Sequence, residues 1–116
     1  ETPMSAPSRT YLYISDLFRP LPYSFSEILE AWEEDRMRPF ELVRDFVEEE
    51  LGEIRDVRLY GAYLDLETMT AVIEYMVDFR GEGRRGTYGV KIVHARDLKR
   101  AIMEYYEAER TGKLIR

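Results

Sequence analysis

The stretch Thr68–Phe79 constrains this chain more than any other. Met69, Ala71, Ile73, Tyr75, Val77 and Phe79 fall on one side of an extended backbone; Thr68, Thr70, Val72, Glu74, Met76 and Asp78 fall on the other. Successive strand side chains point to opposite faces, so this reads as a strand with one apolar row to bury. Ile54–Leu64 before it and Thr87–Ala95 after it also read as strands. Only Asp65-Leu-Glu67 and the Arg80–Gly86 loop separate the three. Such short links imply an antiparallel meander and exclude a doubly wound parallel sheet, whose crossovers need roughly a dozen residues.

The remaining elements follow from local signals. Thr10–Phe18 is β-branched and aromatic, which predicts a first strand ended by Arg19-Pro-Leu-Pro22. Ser24 with Glu27 forms a capping box for a helix over 25–36. Pro39 suits the first turn of a second helix that buries Phe40, Val43, Phe46, Val47 and Leu51 and stops at Gly52. Gly61 marks a bulge or a close approach. Asp97 caps a last helix over 98–110, with Leu98, Ala101, Ile102 and Tyr105 inward. The expected fold is α+β: a four-stranded antiparallel sheet in the order β-α-α-β-β-β-α, with the helices packed on one face. Residues 1–9 are expected to form a flexible tail and 10–116 a single domain.

Composition narrows the classes. With 116 residues the chain supports one core, not two. No apolar run approaches the ~18 residues of a membrane span, and the first residues show no apolar leader segment. Without Cys, a disulfide framework and a thiolate nucleophile are excluded. Asn and Gln are absent too, charged residues reach 34%, and 14 of the 17 basic residues are Arg. That pattern points to a hyperthermophile protein working in the cytoplasm, although compositional bias of a genome also favours Arg over Lys. The net charge of −6 is unevenly spread: residues 80–116 hold 10 Arg/Lys against 5 Asp/Glu. Such asymmetry marks either an anion-binding region or ion pairing between the two halves.

Candidate chemistry is sparse. Gly81-Glu-Gly83-Arg-Arg-Gly86 has the letters G-x-G-x-x-G, but a strand follows it where a dinucleotide site needs a helix. It reads as a flexible hairpin loop carrying Arg80, Arg84 and Arg85, which suit bidentate phosphate contacts. His94, the one histidine, has no nucleophile or orienting acid beside it in sequence and reads as a structural residue. The runs Glu30–Asp35 and Glu48–Glu50 read as solvated helix faces. Asp65 with Glu67 lacks the spacing of a calcium loop. The chain is therefore expected to be non-enzymatic, with no catalytic residue, cofactor or metal.

The aromatics suggest more. The sheet face opposite the Met69–Phe79 row is expected to carry Tyr60, Arg58, Lys91, Val93, Val72 and Met76, joined by Tyr11 and Tyr13. Rings interleaved with cations on an open sheet are a platform for single-stranded nucleic acid, where bases stack and cations hold the backbone. The alternative is Tyr packing at half-buried strand positions and dimer seams.

Through the YLYISDLF strand, the meander and the RGEGRRG loop, residues 10–110 resemble the ThermoDBP-type single-stranded DNA-binding proteins of hyperthermophilic archaea. The resemblance is one of composition and topology. It implies a small antiparallel sheet with helices that exposes an aromatic, basic cleft. The acidic net charge departs from that pattern. The expected function is single-stranded nucleic-acid binding, with Arg58, Arg80, Arg84, Arg85 and Lys91 on phosphates and Tyr11, Tyr13 and Tyr60 stacking on bases. A protein-interaction or regulatory module, homo-oligomeric through its charge asymmetry or through Met103 and Tyr106, is the alternative. A small-ligand enzyme using His94 ranks third, and no membrane partner is expected.

Overall fold

The computed structural model describes residues 7–116. Five strands and three helices follow in the order β1 (Arg9–Ile14), β2 (Leu17–Leu21), α1 (Phe25–Glu34), α2 (Arg38–Leu51), β3 (Glu53–Asp65), β4 (Thr70–Gly81), β5 (Arg84–Ala95) and α3 (Leu98–Arg110). All strands pair antiparallel in one sheet of order β2-β1-β5-β4-β3. Most of the expected tail lies outside the described residues, and Arg9 already belongs to β1.

The sheet has five strands where the sequence predicts four. The segment Thr10–Phe18 is not one strand: it folds back at Ser15-Asp16, both with positive φ (49° and 67°), and pairs with Leu17–Leu21. Two left-handed residues make a tight turn whose twist matches the flanking strands. Pro20 does not end the strand, because β2 is an edge. Hydrogen-bonded and open pairs alternate from the turn, which leaves the Pro20 nitrogen facing outward, where a missing N–H costs nothing.

The Arg80–Gly86 segment is not a flexible loop either. β4 runs on to Gly81 and β5 begins at Arg84, so only Glu82 and Gly83 (φ 49° and 77°) turn the chain. Gly81 is there for space: a Cβ would lie 2.6 Å from the Leu51 carbonyl oxygen, because the end of α2 closes directly onto the hairpin.

Capping follows the sequence. Ser24 and Glu27 form the reciprocal box on α1, and the Asp97 carboxylate accepts from Arg100 N–H at 3.1 Å on α3. Gly52, with φ 104°, ends α2. The bulge sits one residue before Gly61, with Tyr60 the extra residue, and a second one admits Arg55.

The helices do not share one face. α1 and α2 cover the row Ile73, Tyr75, Val77 and Phe79, together with Leu12, Ile14, Val90 and Ile92, and form the main core. Met69 leaves that row for the turn before β4 and stands 41% exposed. α3 lies on the opposite face and buries Ala101 and Tyr105 against Val72, Val93 and Ala95 in a thinner second core. The reversal has a simple cause: the sheet alternates apolar residues on both faces near the end of β5, and a helix leaving Ala95 after a two-residue link falls back onto the nearer one. The outer edge of β3 is capped where Ile115 and Ala62 exchange two backbone hydrogen bonds of 3.0 Å.

Candidate nucleic-acid interface

Strand parity brings the predicted platform residues to one face, the one α3 shares. Register places Tyr11 beside Val93, Tyr13 beside Lys91, Glu74 beside Lys91, Met76 beside Gly89 and Arg58, and Arg80 beside Arg85. What the sequence does not convey is that α3 closes half of that face. From the α3 end to the hairpin tip, the eight predicted residues meet three different fates.

At the covered end, Lys91 is 5% exposed and its ammonium lies 3.3 Å from Glu74 Oε2. Tyr105 Oη donates to Glu74 Oε1 at 2.5 Å, and the rings of Tyr13, Tyr106 and Tyr105 stand 5.2, 5.3 and 5.7 Å from the ammonium. Cation–π contact and the ion pair replace the water this charge has lost. Gly89 makes the arrangement feasible, since a side chain there would overlap the Glu74 carboxylate. Burial, with the hydrogen bond to Glu74 second, pushes the Tyr105 hydroxyl far above its ordinary pKa. Tyr60 is also occupied: its hydroxyl donates to Glu109, which raises its pKa, and Arg116 covers its ring at 5.3 Å.

Midway along the face, Arg58 is exposed but clamped. Nη1 donates to Asp56 Oδ2 at 2.9 Å and to Asp78 Oδ2 at 3.2 Å. Thr87 Oγ1 adds a bond to Asp78 Oδ1 at 2.6 Å, and that hydroxyl and Arg58 together hold the Asp78 carboxyl below its usual pKa.

Two groups stay accessible. Tyr11 and Tyr13 are half-buried beside Phe18, which stacks on Tyr13 at 4.5 Å and meets Tyr11 edge-on at 6.5 Å. Phe18 is 39% and Tyr106 47% exposed, which completes a ring patch beside α3. The Tyr13 hydroxyl bonds Asp16 at 2.7 Å, the main cause that pushes its pKa to about 12. At the hairpin tip Arg80, Arg84 and Arg85 are exposed and form no ion pair among the described residues. Arg84 points to the α1/α2 face, where its guanidinium lies 5.7 Å from the Phe79 ring. Along β5 the six steps from Lys91 to Arg85 span about 20 Å at ~3.3 Å each. The rings thus lie at one end of this face and Arg80 and Arg85 at the other, with the Glu74 carboxylate filling the space over Gly89 between them.

Phe18 was hidden from sequence reading because its place depends on the β1–β2 hairpin; Tyr106 was legible as an outward residue of the last helix, but its place beside Tyr13 and Lys91 depends on the docking of α3. His94 sits on the α1/α2 face, buried, with Nδ1 2.6 Å from Thr10 Oγ1 and its ring 5.3 Å from Phe25. The Thr10 hydroxyl donates to the Tyr23 carbonyl, so its oxygen accepts from Nδ1–H of the imidazole. Burial lowers its pKa. A separate groove between α3 and β3 is lined by Tyr63, Met103, Glu104 and Lys113, none of them a predicted nucleic-acid contact. Among the described residues no helix is long and apolar enough to cross a membrane. No protein-family model matches the chain, and no curated protein or solved structure shows significant similarity to it.

Proposed function

We propose that this chain is a non-enzymatic module that binds single-stranded nucleic acid along the uncovered length of the α3 face. Arg80 and Arg85 supply phosphate contacts on that face, and Arg84 supplies one from the other side of the hairpin tip. Tyr11 and Tyr13, extended by Phe18 and Tyr106, supply stacking surface. Lys91, Arg58 and Tyr60 shape the face instead of touching the ligand. The observation that carries this reading is the hairpin tip: three arginines within six residues go without a carboxylate partner among the described residues. Branched ion pairs, such as Arg19 with Glu49 and Glu50 and Arg38 with Glu34 and Glu41, support a heat-adapted chain, in line with the resemblance to the ThermoDBP-type proteins.

Anisotropy of a labelled oligothymidine at 50 and 200 mM salt tests it. About three phosphate contacts give a log–log salt slope near −2 and roughly a twentyfold loss of affinity over that range. Absence of binding at micromolar protein in low salt defeats the proposal. The exposed Phe18, Tyr106 and Met103 favour a second reading, a protein partner on the ring patch. Binding that is insensitive to salt and to the hairpin arginines supports that one.

A further inference from the structure

Two like-charged pairs face each other on neighbouring rungs of the same sheet. Asp56 opposes Asp78 across β3 and β4; Arg80 opposes Arg85 across β4 and β5. Like charges directly opposite destabilise a sheet. The carboxylate pair is resolved within the protein, because Arg58 bridges both members and Thr87 bonds one of them. Among the described residues the guanidinium pair has no such bridge. Glu53, the cross-strand neighbour of Arg80, turns to Arg55 at 3.6 Å; Asp78 is engaged by Arg58; and Glu82 lies in the turn beyond. Arg55, Asp78, Arg80, Arg85 and Thr87 border a single concavity, in which Arg58 and Thr87 hold the Asp78 carboxylate.

We infer that this concavity is a site for one dianionic phosphate monoester, which bridges Arg80 and Arg85 as Arg58 bridges the aspartates, with Arg55 as the third cation. The inference rests on the proposed nucleic-acid reading only for the source of the phosphate, which is then the terminal phosphate of a strand. A monoester carries about 1.5–2 negative charges at neutral pH and three free oxygens, whereas a diester within a chain carries one charge. Planar guanidinium forks match such oxygens bidentately. Position agrees: β4 and β5 end at Gly81 and Arg84, so a strand lying along the face from the ring patch reaches its end here.

The test compares oligothymidines with a 5′-phosphate, a 3′-phosphate or hydroxyl ends, with the label at the end opposite the one varied. Melting shifts with inorganic phosphate and pyrophosphate serve as a second probe. The expected result is at least about tenfold tighter binding of one phosphorylated end, the scale of charge-assisted hydrogen bonds. That preference disappears in R80A/R85A and is reduced in R80K/R85K, which keeps charge without the fork. Removing opposed like charges does not lower the melting temperature, so loss of binding is not loss of fold. Pyrophosphate that stabilises the wild type and not R80A/R85A, with no oligonucleotide bound, supports the site and defeats the nucleic-acid reading. Oligonucleotides bound equally whatever their ends overturn the site and leave that reading standing. If neither phosphates nor oligonucleotides bind, both fall.

Discussion

Lys91 and Arg85 stand on the same strand and the same face, six residues apart, and their surroundings are opposite. Lys91 is enclosed: a carboxylate, a hydroxyl bonded to that carboxylate and three rings have replaced its hydration. Arg85 is exposed and faces another arginine. The difference comes from the cross-strand partner and from α3. Glu74 is opposite the one and Arg80 opposite the other, and α3 lays Tyr105 and Tyr106 over Lys91 alone, so partner and cover together decide whether a cation becomes part of the core or stays available to a ligand. A charge count along the chain cannot separate the two.

The largest expected effect lies at the enclosed end. Glu74→Ala leaves the Lys91 ammonium buried without its counter-ion and removes the acceptor of Tyr105. Breaking a buried pair costs about 3–5 kcal/mol, and denaturant unfolding measures it. A loss below about 1 kcal/mol would mean that Lys91 escapes to solvent and the enclosure is loose.

His94 offers a control outside this face, with a smaller effect. Its pKa is lowered in the folded protein by burial, so the unfolded chain binds the proton first as pH falls. Stability from the neutral imidazole is complete above the unfolded value near 6.5. It is lost as pH falls from there towards the folded value, at no more than about 1.4 kcal/mol per pH unit. Melting temperature measured downward from pH 7 should show this drop, and His94→Phe should flatten it. An unchanged profile in the variant would place the drop elsewhere.

Much of this was readable in advance, and the misses have common causes. Period-two alternation assigned Tyr11, Tyr13, Arg58, Val72, Met76 and Lys91 to one face, because strand parity is local. The caps at Ser24 and Asp97 were readable for the same reason. The docking of α3 on that face was not, since a helical stripe says that a side is buried and not against what. The β1–β2 hairpin was concealed by a two-residue turn of Ser15 and Asp16, neither of them glycine, and by a proline that breaks a central strand but suits an edge. Gly81 resembled a loop residue, yet it answers to the approach of the Leu51 carbonyl. The clamp on Arg58 needed the register that sets Asp56 against Asp78.

The smallest expected change in stability is the most informative. Arg85→Glu places a carboxylate opposite Arg80, so the melting temperature should rise by an amount corresponding to about 0.2–1 kcal/mol, while affinity for a phosphorylated oligothymidine should collapse in the same preparation. A rise in stability joined to a loss of binding shows that the opposed arginines are kept for a ligand at the expense of the fold. A variant that melts lower, or that binds the oligonucleotide as the wild type does, contradicts that claim.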